Sequence, residues 1–180
     1  MAKLTDDFAK KILRFEGGYV NDPLDAGGCT NMGVTLETWK ESGYDKDGDG
    51  VITCEDIKLL EFDDFKIILD LFWDSVGADG INNQSLAEII TDFAWGSGQS
   101  IASKKIQVLV DANPDGDIGK LTLAAINNFA DQQLLFDKYK EARLQYIDAI
   151  VANHPDQVRF EKGWKNRINE YVYSENEVAL

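Results

Sequence analysis

The residues best suited to chemistry lie in a glycine-rich stretch from position 14 to 38, which reads RFEGGYVNDPLDAGGCTNMGVTLET. It holds Glu16, two aspartates, Asp22 and Asp25, and the hydroxyl of Thr30. Two carboxyl groups can share acid-base work, because one protonates a leaving group while the other stabilises positive charge or activates water. The stretch therefore predicts an acid-base site in which Glu16 is the general acid.

A helix is expected to carry Glu16 at its C-terminal end. Upstream apolar residues recur at steps of four, four and three, which is the apolar face of an α-helix. They are Leu4, Phe8, Ile12 and Phe15. Gly17-Gly18 would end that helix. The helix dipole and the apolar neighbours Phe15 and Tyr19 would both disfavour the charged form of Glu16, as a general acid requires.

The residues after Gly18 have the composition of turns. Asn21-Asp22-Pro23 and Ala26-Gly27-Gly28 predict two reversals around short extended pieces, hence a small hairpin-like lobe. That lobe would carry Asp22, Asp25 and Thr30 back toward Glu16. The alternative is that both aspartates only form turns and that Glu16 is an exposed last-turn residue.

Four short motifs in this stretch resemble the opening motif of glycoside hydrolase family 108. They are Glu16-Gly17-Gly18-Tyr19, Asn21-Asp22-Pro23, Gly27-Gly28 and Thr30-Asn31-Met32-Gly33-Val34-Thr35. The family contains lysozyme-like N-acetylmuramidases of phage and bacterial genomes, sometimes labelled secretion activators, and the resemblance runs nearly the full chain. It implies that Glu16 is catalytic. It also implies cleavage of the β-1,4 bond between N-acetylmuramic acid and N-acetylglucosamine in peptidoglycan.

The partner of Glu16 is less sharply indicated. Glu16 and Asp25 are separated by the same eight residues as the catalytic pair of phage lysozymes with a Glu, Asp, Thr constellation, although Thr30 falls one position closer. Asp22 is the second candidate, because its place before Pro23 is explained by turn formation alone. Thr30 or Asn31 would position water. A flexible lobe favours wide carboxyl separation and an inverting mechanism over a retaining one.

Aromatic side chains are the candidates for contact with the sugar. Tyr19 follows the catalytic motif directly, and Trp95 precedes the glycines that end a predicted helix. We expect substrate binding at Tyr19, Asn31 and Trp95. For Trp95 a place in the hydrophobic core is the favoured alternative, because buried tryptophans are common.

The segment from Asp45 to Asp56 fits a twelve-position calcium loop. Carboxylates at positions one, three and five, glycine at six and a backbone carbonyl at seven can converge on one hard cation. The predicted ligands are Asp45, Asp47, Asp49, the Val51 carbonyl and Asp56. Aspartate replaces the usual closing glutamate, which predicts weaker binding. We expect one structural calcium ion and no cofactor for catalysis, against the alternative of an acidic turn without metal.

The rest of the chain is predicted to be helical, with N-caps at Thr35, Ser85 and Asp131. Asp111 to Thr122 begins like a second calcium loop, but its twelfth residue is a threonine, so no metal is expected. The resemblance marks this region as a predicted peptidoglycan-binding segment. The residues that carry it are Gln107, Asp115, Gly116, Gly119 and Thr122. A turn into the next helix explains these residues equally well.

Composition limits the function classes. A net charge of −14 argues against nucleic-acid binding, which needs clustered basic residues. Residues 1–100 carry eight Lys or Arg against twenty Asp or Glu, whereas residues 101–180 carry ten against twelve, so the second part would face an anionic wall more easily. Two cysteines, Cys29 and Cys54, are too few for a disulfide framework. Free thiols are the default expectation, with one bond as the alternative.

These patterns predict a mostly α (α+β) protein, a lysozyme-like helical domain of seven or eight helices with a small N-terminal β lobe. Residues 1–180 would form one domain, with 1–100 catalytic and 101–180 a peptidoglycan-binding helical part. The start of the chain has no visible signal peptide and no apolar run is long enough to span a membrane, so action on the wall after release is expected. The rival functions are a non-catalytic peptidoglycan-binding or secretion-associated protein and a calcium-dependent interaction module.

Overall fold

The computed structural model describes residues 1–21 and 28–175, and it confirms a mostly α-helical fold with one small sheet. These residues form nine α-helices, where seven or eight were expected. The helices are α1 Asp6–Leu13, α2 Leu36–Ser42, α3 Cys54–Lys58, α4 Phe62–Ser75, α5 Gln84–Ser97, α6 Gln99–Leu109, α7 Lys120–Asn127, α8 Gln132–Asn153 and α9 Val158–Asn169. Short helices such as α3 span little more than one turn and leave no periodic pattern in the sequence.

The chain divides into two compact units. The N-terminal unit is Leu4–Leu71, and the C-terminal unit consists of Met1–Lys3 with the chain from Phe72 onward. The boundary falls inside α4. A single domain over 1–180 stays a prediction. No helix in the described part of the chain is long and apolar enough to cross a membrane.

The sheet of the N-terminal unit is the predicted β lobe. Strands β1 Val20–Asn21, β2 Cys29–Asn31 and β3 Val34–Thr35 pair antiparallel in that order. Two residues, Met32 and Gly33, join β2 to β3, and both have positive φ. Positive φ at both central positions is the conformation of a type I′ hairpin turn, whose twist matches that of the strands.

Helix caps and apolar faces fix the helices of the N-terminal unit. Thr5 caps α1, and Thr35 caps α2 as predicted, accepting a 3.2 Å hydrogen bond from the Thr38 backbone. The apolar face of α1 is buried at Phe8 and Ile12, as its spacing predicted. These contacts fix the C-terminal end of α1, which leads into the candidate acid.

Helix α5 is the core of the C-terminal unit. It is buried on nearly all sides, as expected for a central helix. Its N-cap is Asn83, which accepts a 3.0 Å hydrogen bond from the Leu86 backbone, so the prediction of a cap at Ser85 is wrong by two residues. The Ser85 hydroxyl instead accepts from the Ser174 backbone. Asp131 caps α8 as predicted.

The glycine-rich turn before α7 is held by the buried amide of Gln107. Its Nε2 donates to Asp115 Oδ1 at 2.7 Å and to the Asp117 carbonyl at 2.8 Å, while its Oε1 accepts from the Gly116 backbone at 2.9 Å. A third contact joins Nε2 to the Thr122 hydroxyl at 3.3 Å. The neutral amide thus satisfies oxygen atoms that would face a cation in a calcium loop.

Candidate active site

Glu16 lies just beyond the end of α1. The helix ends at Leu13, and the Glu16 backbone N–H donates to the Leu13 carbonyl at 3.1 Å, so the chain continues for one further turn. The Glu16 residue is half-buried. The predicted location at a helix C-terminus is therefore correct to within three residues.

A backbone hydrogen bond fastens the segment after Glu16 to the sheet. Met32 lies in the turn between β2 and β3, and its N–H donates to the Gly17 carbonyl at 3.1 Å. Val20, four residues after Glu16, pairs with Thr30 on β2. The helix end and the three strands are thus one local structure, which holds Glu16, Tyr19, Thr30 and Asn31.

Thr30 and Asn31 differ in what their side chains can do. Thr30 is the central residue of β2, pairs with Val20 and Thr35, and is half-buried. Asn31 is 6% exposed, and its Nδ2 donates to the Ile57 carbonyl at 2.9 Å. Thr30 is therefore the more accessible of the two, while the Asn31 amide connects the sheet to α3. Their roles with water or substrate stay predictions.

Tyr19 lies against a lysine that the sequence did not indicate. The Lys58 ammonium is 5.5 Å from the centre of the Tyr19 ring, within the range of a cation-π interaction. The Tyr19 hydroxyl is buried and has no hydrogen-bond partner in the described part of the chain. A buried hydroxyl without a partner costs roughly 1 to 3 kcal/mol. Such a group gains from any movement or ligand that supplies a partner.

The expectation of free thiols is wrong, because Cys29 and Cys54 form a disulfide. Cys29 begins β2 and is fully buried, and Cys54 begins α3. The chain folds back after α2, which brings two cysteines 25 residues apart into contact. The sequence contains only these two cysteines, but their pairing depends on tertiary structure.

The remaining predicted residues are distributed elsewhere. Asp22 and Asp25 belong to residues 22–27, outside the described residues, so the choice between them as partner of Glu16 stays a prediction. Trp95 lies on α5 in the C-terminal unit, half-buried, with its ring centre 5.0 Å from that of Phe72. Because Trp95 is only half-buried, its role in sugar binding or in the core stays a prediction.

Three of the predicted calcium ligands converge. Carboxylate oxygens of Asp45, Asp47 and Asp49 all lie within 4.8 Å of one another. Asp45 accepts from the Gly48 and Gly50 backbones, each at 2.7 Å, which folds the loop around these side chains. A hydrogen bond from the Asp49 backbone lowers the pKa of Asp47, but desolvation and the neighbouring carboxylates outweigh it and leave that pKa raised.

The fourth predicted carboxylate, Asp56, faces the backbone of the same loop. It is fully buried and accepts from the backbone N–H groups of Thr53 and Lys46, each at 2.7 Å, and of Asp47 at 3.3 Å. The bond from Thr53, followed by those from the other two residues, holds the pKa of Asp56 below its usual range despite burial. Asp56 thus stabilises the loop and the start of α3.

Comparison with known proteins shows which families this chain resembles. Residues 9–98 match the family described as Glycosyl hydrolase 108, and residues 99–169 match the one described as Predicted Peptidoglycan domain. The structure of SagA from Brucella abortus is similar, with 28% sequence identity, a TM-score of 0.67 and coverage of 97% of this chain and 98% of SagA. The comparison with curated proteins gives no match.

The first match includes Glu16 and the whole sheet, and the second covers α6 to α9. The resemblance read from the EGGY motif is therefore confirmed at the level of the family, and the glycine-punctuated turn at Gln107 falls in the peptidoglycan domain. The chain belongs to the glycosyl hydrolase 108 family.

Proposed function

We propose that this glycoside hydrolase is a lysozyme-type N-acetylmuramidase. It cleaves the β-1,4 bond between N-acetylmuramic acid and N-acetylglucosamine in peptidoglycan, with Glu16 as general acid. The observation that carries the proposal is the location of Glu16, half-buried at the end of α1 and fastened through Gly17 to the sheet. A carboxyl group held between a helix end and a strand is fixed in position without being removed from solvent.

The mechanism requires two carboxyl groups on opposite sides of the bond that is cleaved. Glu16 protonates the leaving oxygen as the bond breaks, and the sugar that remains acquires oxocarbenium character. Asp25, or else Asp22, then stabilises that charge or activates the attacking water. Thr30 on the central strand would orient the water, and Tyr19, which directly precedes β1, would contact the sugar.

The test is Glu16→Gln, which preserves shape and removes the transferable proton. Lysis of a peptidoglycan suspension should fall by about two orders of magnitude or more, the usual contribution of general acid catalysis. Glu41→Gln is the matched control, because Glu41 is exposed on α2 of the same unit. A folded Glu16→Gln protein that lyses peptidoglycan at nearly the parent rate contradicts the proposal.

The second candidate function is peptidoglycan recognition without catalysis. The match of residues 99–169 to a peptidoglycan domain favours it, because binding alone would explain that part of the chain. The two functions differ in one readout. A binding protein sediments with peptidoglycan but leaves the turbidity of the suspension unchanged, whereas a muramidase lowers it. In either case the partner is the bacterial wall, which the protein reaches after release from the cytoplasm.

We also propose one structural calcium ion in the loop from Asp45 to Asp56. Asp45, Asp47 and Asp49 supply converging carboxylate oxygens, and the Val51 carbonyl occupies the seventh position of the loop. Cys54 and Ile57 of α3, the helix that begins within the loop, are bound to the sheet by the disulfide and by Asn31. The ion would therefore support the lobe that holds Glu16 and take no part in the chemistry.

A further inference from the structure

A cavity of about 180 Å³ lies within the C-terminal unit, between α5, α8 and α9. Its walls combine charged and aromatic side chains. The lining residues include Asp92, Phe93, Gly96, Arg143, Trp164 and Arg167. Typical pockets for drug-sized ligands measure roughly 300 to 1,000 Å³. The cavity therefore has room for one substituent of a ligand and not for a disaccharide.

Three of the lining residues form an ion cluster. Arg143 donates to Asp92 Oδ2 at 2.7 Å, and the Arg167 Nε donates to Asp92 Oδ1 at 2.9 Å. Asp92 is fully buried, Arg143 is 5% exposed and Arg167 is 16% exposed. The Arg143 guanidinium also lies 4.9 Å from the centre of the Phe93 ring. These contacts fix both guanidinium groups before any ligand arrives.

The charge of the lining favours an anionic ligand. Burial alone would raise the pKa of Asp92, but Arg143 and Arg167 hold it below its usual range, so this carboxylate is ionised near neutral pH. The ionised lining then consists of two guanidinium groups and one carboxylate, a positive balance inside a chain with a net charge of −14. Guanidinium groups bind carboxylates with matched geometry.

An aromatic surface continues from the cavity along α9. Trp164 lines the cavity and lies 5.7 Å, between ring centres, from Phe160, which is 44% exposed. The two rings are four residues apart and therefore share one face of the helix. Exposed aromatic rings offer flat apolar area with which a sugar ring can make contact. A ligand that suits the whole surface has an acidic substituent for the cavity and a sugar for the rings.

We propose that this cavity and the adjoining Phe160–Trp164 surface bind the muramoyl sugar of peptidoglycan with a carboxylate of its peptide stem in the cavity. The choice of ligand rests on the proposed function, because peptidoglycan carries acidic peptides on every second sugar. The site lies apart in sequence from Glu16 and would hold the substrate without taking part in bond cleavage. It gives the peptidoglycan domain a defined recognition element on α5, α8 and α9.

Gly96 allows the cavity to be filled without disturbing the ion cluster. It lines the cavity on α5, and a Cβ built there meets no atom within 4 Å. Gly96 is exposed, so Gly96→Leu adds a side chain at the open edge of the cavity. Ala152→Leu is the matched control, because Ala152 is exposed on α8 and does not line the cavity. Circular dichroism and the thermal midpoint establish that both variants fold.

Binding to the full chain is measured by NMR titration with three soluble probes. They are N-acetylmuramoyl-L-alanyl-D-glutamate, the same compound with its carboxyl groups amidated, and N,N′-diacetylchitobiose. The acidic probe should bind about tenfold more tightly than the amidated one, the size of one charge-assisted hydrogen bond. Ala152→Leu should keep this preference, whereas Gly96→Leu should lose it. N-acetylmuramic acid without peptide, as a fourth probe, separates the lactyl carboxylate from the peptide carboxylates.

Equal affinity for the acidic and amidated probes, preference for the bare muramic acid, or unchanged binding in Gly96→Leu overturns the proposal. The acidic probe contains no bond between two sugars, so its binding is read independently of hydrolysis. A parent protein that lyses peptidoglycan but shows no preference for the acidic probe overturns the cavity assignment alone. One that shows the preference but does not lyse peptidoglycan overturns the muramidase activity alone.

Discussion

Cys29 on β2 and Cys54 at the start of α3 are joined by a disulfide, with their Cα atoms 5.8 Å apart. The bond closes a loop that contains β3, α2 and most of the predicted calcium loop. A second connection runs parallel to it, since Asn31, two residues after Cys29, donates to the carbonyl of Ile57. The sheet beside Glu16 and helix α3, which begins within the calcium loop, are therefore bound twice, once covalently and once by a buried hydrogen bond.

The disulfide should stabilise the N-terminal unit by restricting the unfolded chain. For a closed loop of this size the expected gain is about 3 kcal/mol. Reduction should therefore lower the thermal midpoint, measured by differential scanning calorimetry with and without a reductant. The double variant Cys29→Ser with Cys54→Ser should match the reduced parent and should not respond to the reductant. A parent whose midpoint is the same in both conditions would show that the bond contributes nothing to stability.

Gln107 should be essential for the turn before α7. Gln107→Glu keeps the shape of the side chain but replaces its donor by an acceptor opposite Asp115 Oδ1 and the Asp117 carbonyl. The loss of these buried hydrogen bonds should cost roughly 2 to 4 kcal/mol of unfolding free energy, measured by urea denaturation. Gln145→Glu makes the same change on an exposed part of α8 and should stay within about 0.5 kcal/mol of the parent.

Asp92 should make the stability of the C-terminal unit sensitive to acid. Burial is outweighed by Arg143 and Arg167, so the folded-state pKa lies below the unfolded value of about 3.9. The stabilising contribution is therefore complete above about pH 4 and is lost as the pH falls through the lowered pKa. Urea denaturation as a function of pH should show this loss in the parent.

Asp92→Asn removes the titrating group and leaves two guanidinium groups without their carboxylate. We expect the free energy of unfolding to fall by about 3 to 5 kcal/mol at pH 7, the usual cost of breaking a buried ion pair. As the pH falls from 5 to 2, the difference in unfolding free energy between this variant and the parent should shrink. Asp148→Asn, which removes the exposed partner of Lys165, should change stability by at most about 1 kcal/mol. A constant difference across this pH range would contradict the assignment to Asp92.

Calcium should raise the thermal midpoint of the parent protein, because an ion that binds only the folded state stabilises it by mass action. A chelator should reverse the shift, and Asp47→Ala should abolish it. Asp63→Ala, a change at an exposed aspartate of α4 outside the converging group, should leave it intact. The raised pKa of Asp47 means that protons compete with the ion, so the shift should shrink as the pH falls. A calorimetric titration that shows no heat of binding at millimolar calcium would contradict the proposed calcium site.

The parts of the fold that follow local rules could be predicted from the sequence. The periodic apolar residues of α1 and the caps Thr35 and Asp131 each depend on neighbours within four positions. The cap of α5 was placed at Ser85 instead of Asn83 because both residue types are good caps and the sequence alone does not rank them. The position of Glu16 followed from the same local rules.

The contacts between distant segments could not be predicted in this way. The disulfide joins residues 25 positions apart, and Lys58 reaches Tyr19 only because α3 packs against the sheet. For Asp92 the sequence does contain an indication, because an ionisable residue inside the apolar run of α5 needs a partner of opposite charge. Its partners Arg143 and Arg167 lie on two other helices, so their identity required the packing of α8 and α9.

The second carboxylate can be identified by comparing Asp25→Asn with Asp22→Asn. Pro23 restricts the backbone of Asp22 and gives that residue a conformational role, so we expect Asp25→Asn to lose more activity. The two substitutions are chemically identical and three positions apart, which makes each a control for the other. Initial rates of peptidoglycan lysis, at equal concentrations of folded protein, provide the comparison.

The stereochemistry of the product gives an independent readout of the same residue. Carboxyl groups about 5 to 5.5 Å apart suit a retaining reaction with a covalent intermediate, whereas roughly 6.5 to 9.5 Å leaves room for an attacking water. Asp25 belongs to a glycine-flanked stretch of the sequence, which favours a flexible lobe, so we expect the wider separation and inversion. The anomer formed first is identified by ¹H NMR of the reducing sugar before mutarotation. Retention of configuration, or an Asp22→Asn variant more damaged than Asp25→Asn, would reverse this assignment.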